Sequence, residues 1–199
     1  MSDYSTHPLS FVRGLVEQYG EDITFSFSRY FYRPRSPVDE REIIQVSARL
    51  ISDAWLEDEM NSLLPNWDLA LNSVVVDSRG RTRHIPMIDF IGDAAKFFID
   101  RRSRDIVGHR IYDEMIPFSS GRSLHGYSSV LLAPGEWISY MARLLLVDFP
   151  DEVPMIDHRW VGHRLAGGYS ALRWSANGDN YLDYPRRFDL AASGILAKI

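Results

Sequence analysis

The sequence predicts an α+β fold built mainly from antiparallel sheet, with helices covering one face. Three observations predict it. Ile23, Phe25 and Phe27 alternate with Thr24, Ser26 and Ser28, the period of a half-buried strand. Apolar residues recur at spacings of three and four over 36–54 and again over 134–145, the period of a helix packed on one side. The elements run strand–helix–strand–strand–helix–strand–strand–helix–strand–strand, and strands joined by short connections pair antiparallel. With 199 residues, 45% hydrophobic and 13% aromatic, the chain can bury a sizeable core.

Taken in order, residues 8–20 mix apolar and polar positions and end in Gly20, a short helix. The alternating strand occupies 23–32. Ser36-Pro37 signals a helix start, with Ser36 as N-cap and proline at the first helical position. Ile43, Val46, Leu50 and Ala54 continue that helix as one stripe, and it stops before Pro65. Val74-Val75-Val76 is a short buried strand, followed by the turn chemistry of Asp77-Ser78-Arg79-Gly80. Residues 83–91 return as a second strand, irregular at Pro86. Gly92-Asp93 breaks it, and Asp93 can cap a helix from Ala94 to about Val107, closed by Gly108. Residues 110–116 and 128–132 read as strands on either side of a serine-rich loop, 117–127.

Pro134-Gly135-Glu136 opens the next helix, with Trp137, Ile138, Met141, Leu144 and Leu145 on its buried face. Residues 155–161 read as a strand, Gly167-Gly168 as a turn, and 169–174 as the partner strand of a hairpin. Residues 189–199 are apolar enough for a docking helix. The expected organisation is one domain: an N-terminal α/β portion over 1–70, a core over 71–188 and the C-terminal helix. Two sub-lobes that break near 66–72 fit the same pattern.

Composition excludes several functions. A net charge of −5 and a pI of 5.7 argue against a strongly basic nucleic-acid coat protein, while leaving room for a local basic groove. The sequence has no cysteine, so disulfides, zinc–thiolate sites and thiol catalysis are absent from it. No apolar run approaches the roughly 20 residues that cross a bilayer, and Met1-Ser2-Asp3-Tyr4 has neither the basic nor the apolar region of a signal peptide. A cytoplasmic location with no membrane partner is expected.

The chemistry concentrates in Pro117-Phe118-Ser119-Ser120-Gly121-Arg122-Ser123-Leu124-His125-Gly126-Tyr127. Ser119 and Ser123 offer hydroxyls, Arg122 a guanidinium fork, His125 an imidazole, and Gly121 frees backbone N–H groups; these are phosphate-gripping groups. A plain loop, with His125 satisfied by a carbonyl, has the same composition. Asp89 ends an apolar strand, where a carboxylate can hold Mg²⁺ or simply accept backbone hydrogen bonds. Asp157 interrupts a second apolar run, where it can bind a metal or pair with Arg159. Arg164, Arg173 and Ser175 follow; Arg173, flanked by Leu172 and Trp174, can reach a triphosphate or equally be solvated or ion-paired.

The order of these pieces resembles the archaeo-eukaryotic primase superfamily, which includes primase-polymerases. That family shows hydrophobic residues with Asp-x-Asp or Asp-x-Glu, then Ser-x-His, then a hydrophobic residue followed by Asp. Ser123-Leu124-His125 matches the second motif and Ile156-Asp157 the third. The stretch 161–175 looks like the family's phosphate-contacting segment, and the resemblance spans about 74–185.

The resemblance implies an RRM-like primase-type core preceded by a smaller α/β lobe, and a nucleotidyltransferase activity. It implies Mg²⁺ or Mn²⁺ on Asp89 and Asp157, with His125 beside them as a catalytic group. It further implies a nucleoside triphosphate on Ser119, Gly121, Arg122, Ser123, His125, Arg164, Arg173 and Ser175. Single-stranded nucleic acid or a primer-template, and a protein partner subunit, are the implied partners. The first motif departs from the pattern: Asp89-Phe90-Ile91 carries one acid where the family has two. Residues i and i+2 of a strand share a face, so Ile91 removes a carboxylate from the metal side. Catalysis is then weak or lost, and a non-catalytic subunit or sensor that binds nucleotides or nucleic-acid ends is the alternative. A second alternative is a ligand-free interaction protein that uses the aromatic 25–32 strand.

Overall fold

The computed structural model describes residues 4–33, 40–92, 94–178, 181 and 183–192. They form an α+β fold with two antiparallel sheets, in keeping with the expected class. The chain opens with α1 (Leu9–Tyr19), whose buried face is Leu9, Phe11, Val12 and Leu15. β1 (Thr24–Phe31) pairs antiparallel with β2 (Arg41–Ser47) on one side and β3 (Trp67–Val76) on the other. Between them lies α2 (Asp53–Ser62), capped by the Ser52 hydroxyl, which accepts from Trp55 N. β4 (Thr82–His84) and β8 (Ala171–Arg173) both pair with β3 and complete the first sheet.

The second sheet runs β5 (Met87–Asp89), β7 (Leu124–Ser128), β6 (Met115–Ser119), β9 (Arg186–Arg187). Its flanking helices are α3 (Ala94–Phe97), α4 (Arg101–Val107), α5 (His109–Asp113), α6 (Pro134–Leu144) and α7 (His158–Gly167). One core lies between the sheets, joining α1 and Phe25, Phe27, Leu71 and Trp174 to Met87, Phe118 and Tyr127. A second core lies on the far side of the second sheet, where Ile88, Phe90 and Leu124 meet Phe97, Trp137, Met141 and Val161. No described helix is long and apolar enough to cross a membrane.

Several expected elements differ from the observed ones. The stripe over 43–54 is not one helix. Ile44 and Val46 turn inward at period two in β2, while Ile43 stays 47% exposed. These β-branched residues suit a strand beside β1 better than a helix. Ser36 and Pro37, the expected helix start, lie outside the described residues, as does Asp93. The Val74–Val76 strand begins earlier, at Trp67, and runs from there to Val76. Residues 83–91 divide at Pro86 into β4 and β5, which belong to different sheets.

Residues 109–113 are helical rather than extended, and 117–127 is not a loop but most of the β6–β7 hairpin. The expected strand over 155–161 is a single bridge, Phe90 with Ile156, followed by α7. Asp157 caps that helix by accepting from Trp160 N at 2.9 Å, a pattern of Asp before an amphipathic run that a strand reading overlooks. Residues 169–174 therefore have no hairpin partner at 155–161; β8 pairs with β3 instead. The expected C-terminal helix falls largely on 193–199, outside the described residues.

Candidate functional site

The site is assembled by register. In the second sheet Asp89 lies directly opposite His125, and His125 directly opposite Phe118. On its other side Asp89 faces the third-motif segment: Ile91 N donates to Met155 O at 2.9 Å and Asp157 N donates to Asp89 O at 3.0 Å, around the Phe90–Ile156 bridge. Directly opposed residues of antiparallel strands share a face, with Cβ atoms roughly 5 Å apart. Phe118, His125, Asp89 and Asp157 thus form one row. Two aspartates 68 positions apart in the chain flank each other because backbone ladders, not their side chains, hold them there.

The electrostatics of that row are unfavourable without a partner. The Asp89 side chain keeps 29% exposure on one side; burial of the rest, then the nearby Asp157 charge, push its carboxyl up to about 7, against the pull of Arg173 and Arg164. His125 Nε2 stands 3.7 Å from Asp89 Oδ1, too far for a hydrogen bond. Burial, helped by the Arg173 charge, pushes the imidazole down to about 3, so it is neutral at ordinary pH. His125 Nδ1 and the Ser123 hydroxyl are buried without a hydrogen-bond partner. Buried polar atoms are normally satisfied, and here two orphans lie on one Ser-x-His segment beside an acid pair.

The hairpin presents these groups. Gly121 and Arg122 are its tip, closed by Ser120 N donating to Ser123 O at 2.9 Å. Gly121 has φ 105°, the left-handed region that glycine supplies at such tips. Arg122 is exposed there, and Ser119 ends β6 half-buried.

The other expected ligands are placed differently. The Ser175 hydroxyl donates to Asp68 Oδ1 at 2.7 Å and accepts from Leu69 N at 2.8 Å, a fully used group inside the first sheet. Arg164 is buried on α7 with its guanidinium 5.9 Å from the Tyr169 ring, and its charge reaches Asp89. Arg173 is buried as well, with its guanidinium directed at backbone carbonyls.

Sequence reading also missed Asp148. Its carboxylate accepts from Met155 N at 2.7 Å, Ile156 N at 3.2 Å and His158 Nε2 at 2.8 Å, and so pins the segment that carries Asp157. An acid seven residues upstream has no local signature; the Pro150 and Pro154 loop around it was the available hint.

For a divalent cation the donor set fits in part. Asp89 and Asp157 supply hard carboxylate oxygen, and the burial and nearby Asp157 charge that lift Asp89 are what a cation would offset. Among the described residues no group of three or more His, Asp or Glu side chains converges, and Ile91 is a 39% exposed apolar side chain at the place of the family's second acid. Asp157 also gives one oxygen to its helix. The set suits one cation whose remaining ligands come from water and phosphate.

A family model described as archaeo-eukaryotic primase 1D-like (AEP-like) matches residues 47–186, from the end of β2 into β9. No curated protein and no solved structure matches the chain.

Proposed function

With the chain a member of the archaeo-eukaryotic primase 1D-like family, we propose that it binds a nucleoside triphosphate together with one Mg²⁺ or Mn²⁺, as a primase-polymerase-like nucleotidyltransferase domain. The observation that carries this reading is the pair of buried orphans, Ser123 Oγ and His125 Nδ1, on the strand that pairs with Asp89. Asp89 and Asp157 hold the cation. When bound, it screens the phosphates and polarises the phosphorus–oxygen bonds. Ser123 donates its hydroxyl to a phosphate oxygen. Neutral His125, in the tautomer with hydrogen on Nδ1, donates a second hydrogen bond without adding charge. Arg122 and the Gly121 backbone lie at the hairpin tip, where Arg122 adds an exposed positive charge, and Ser119 is within the same turn region. Single-stranded nucleic acid or a primer-template is the second substrate that this chemistry requires.

A specific observation favours a second reading of the same site. An exposed isoleucine replaces the family's second first-motif acid, so a second cation that would activate an attacking 3′-oxygen has one carboxylate fewer to hold it. On that reading the domain binds nucleotide or nucleic-acid ends without turnover.

Calorimetry with ATP or GTP and Mn²⁺, with a primer-synthesis assay on single-stranded template, separates the readings. Binding with product that disappears in Asp157→Ala supports the enzyme. Binding without product supports the sensor or partner subunit. Absence of binding, or binding indifferent to His125→Ala, removes both.

A further inference from the structure

Arg173 ends β8 and is 6% exposed. Its Nη2 donates to Ser120 O at 2.9 Å, and its Nη1 donates to Asp183 O at 3.0 Å and to Ser175 O. Its Cζ lies 3.8 Å from the centre of the Tyr181 ring. The three carbonyls belong to three separate pieces of chain: the tip of the β6–β7 hairpin, the segment leaving β8, and the segment approaching β9. A planar guanidinium presents its donors in a fixed fork. With both terminal nitrogens on protein carbonyls and one face on a tyrosine, that fork cannot turn to a triphosphate without releasing Ser120.

Ser120 is the member of this set closest to the chemistry. Its backbone N and its hydroxyl both donate to Ser123 O, at 2.9 and 3.1 Å. Fixing Ser120 therefore fixes Ser123, whose own hydroxyl is an orphan, and through β7 the His125 ring two residues on. The acceptor side is braced in turn: Asp68 Oδ1 takes the Ser175 hydroxyl at 2.7 Å and Asn177 N at 2.9 Å, so the segment that Arg173 grips is held to β3.

We propose that Arg173 is the positioning residue of the nucleotide site rather than a phosphate ligand: it clamps the Ser120 carbonyl to the first sheet so that the hairpin tip presents Ser123 and His125 beside Asp89. Its consequence for nucleotide affinity rests on the reading of those two groups given above; the clamp itself does not.

Arg173→Lys keeps the charge but replaces the fork with a point donor, and Arg173→Gln keeps an amide donor without charge. Three quantities are measured on each: hydrogen–deuterium exchange over 118–125 relative to α6, affinity for Mn²⁺ alone, and affinity for ATP with Mn²⁺. In Arg173→Lys the hairpin tip exchanges faster while α6 is unchanged. Mn²⁺ alone binds within about twofold of the unaltered protein. ATP affinity falls about tenfold, the scale of one charged hydrogen bond acting through the tip. Weakened ATP binding with unchanged exchange at the tip overturns the proposal, because it marks a direct ligand; unchanged exchange with unchanged affinity overturns it as well. If the unaltered protein binds no ATP, the proposed function fails, and the exchange measurement still decides the clamp. Should both variants fail to fold, the unaltered protein decides. Slow solvent exchange of the Arg173 guanidinium protons, unaffected by Mg²⁺–ATP, supports the clamp; fast exchange, or a shift of those signals on adding Mg²⁺–ATP, overturns it.

Discussion

Asp89 is the residue on which the site's pH behaviour turns. Its carboxyl titrates near 7 in the folded protein against about 3.9 in an unfolded chain, so the folded state holds a proton that the unfolded state has lost. A raised acid contributes stability below about pH 4 and loses it as pH climbs to 7. Asp89→Asn should leave stability nearly unchanged at pH 4 and raise it by about 4 kcal/mol at pH 8, as read from urea unfolding without metal. Equal stability of the two proteins at pH 8 would mean that the acid row is already screened. Ile91→Asp tests the other side of the row: it returns a carboxylate to the Asp89 face and should tighten Mn²⁺ at least about tenfold, with primer synthesis appearing or rising if the missing ligand is what limits it. Both aspartates and the Ser-x-His segment were legible in the sequence, because acids interrupting apolar runs stand out. Arg173 and Ser175 were legible as polar residues of interest, but not in their contacts. Sequence shows that a side chain has donors, and only the fold shows what fills them: backbone carbonyls for Arg173 and the Asp68 carboxylate for Ser175.

At the scale of elements, the hairpin and its neighbours explain which readings transferred. Alternation of apolar and polar residues located β1, and Pro134-Gly135-Glu136 located α6, where Glu136 reaches back to Ala133 N at 2.7 Å. Such signals are local. The β2 segment failed because its apolar positions satisfy both periods, and only pairing with β1 chooses between them. Asp157 was read as interrupting a strand and instead caps α7: a helix N-cap and a strand-interrupting acid look alike until the residues after it are known to coil. The contact between the two acid-bearing segments makes its own prediction. Gly92 has φ 54°, and a Cβ there would stand 2.7 Å from Pro154 O. Gly92→Ala should destabilise the fold by about 2 kcal/mol and weaken Mn²⁺ binding, since it pries Asp157 from Asp89; thermal unfolding and a Mn²⁺ titration check the two effects together.

Among the described residues the two larger cores share one sheet, and buried histidines are built into the seams. His7 Nε2 donates to Trp174 O at 2.8 Å while its Nδ1 accepts from Leu9 N, joining the N-terminal segment to the end of β8. His84 stacks on Trp137 at 4.7 Å and meets the Ser73 hydroxyl at 3.0 Å, joining the first sheet to α6. Burial pushes both down to about 4, and His125 to about 3. A depressed base contributes stability above its unfolded value near 6.5 and loses it as pH falls toward the folded value. Three such groups outweigh the opposite trend of Asp89. Stability should therefore fall steadily from about pH 6.5 to 4, and His84→Gln should show a shallower fall than the unaltered protein in urea unfolding at pH 7 and pH 5. The antiparallel α+β class was legible from the order of elements. The division into two sheets was not, because Pro86 marks a break in a strand but not the change of partner that follows.

The short ladder between 89–91 and 155–157 joins peptide groups and uses none of the side-chain atoms that distinguish an active site from an idle one. Chassis and payload are thus separable in this protein. Side chains can be exchanged at 89, 91 and 157 while the distance between the two anchor points stays where the main chain has set it.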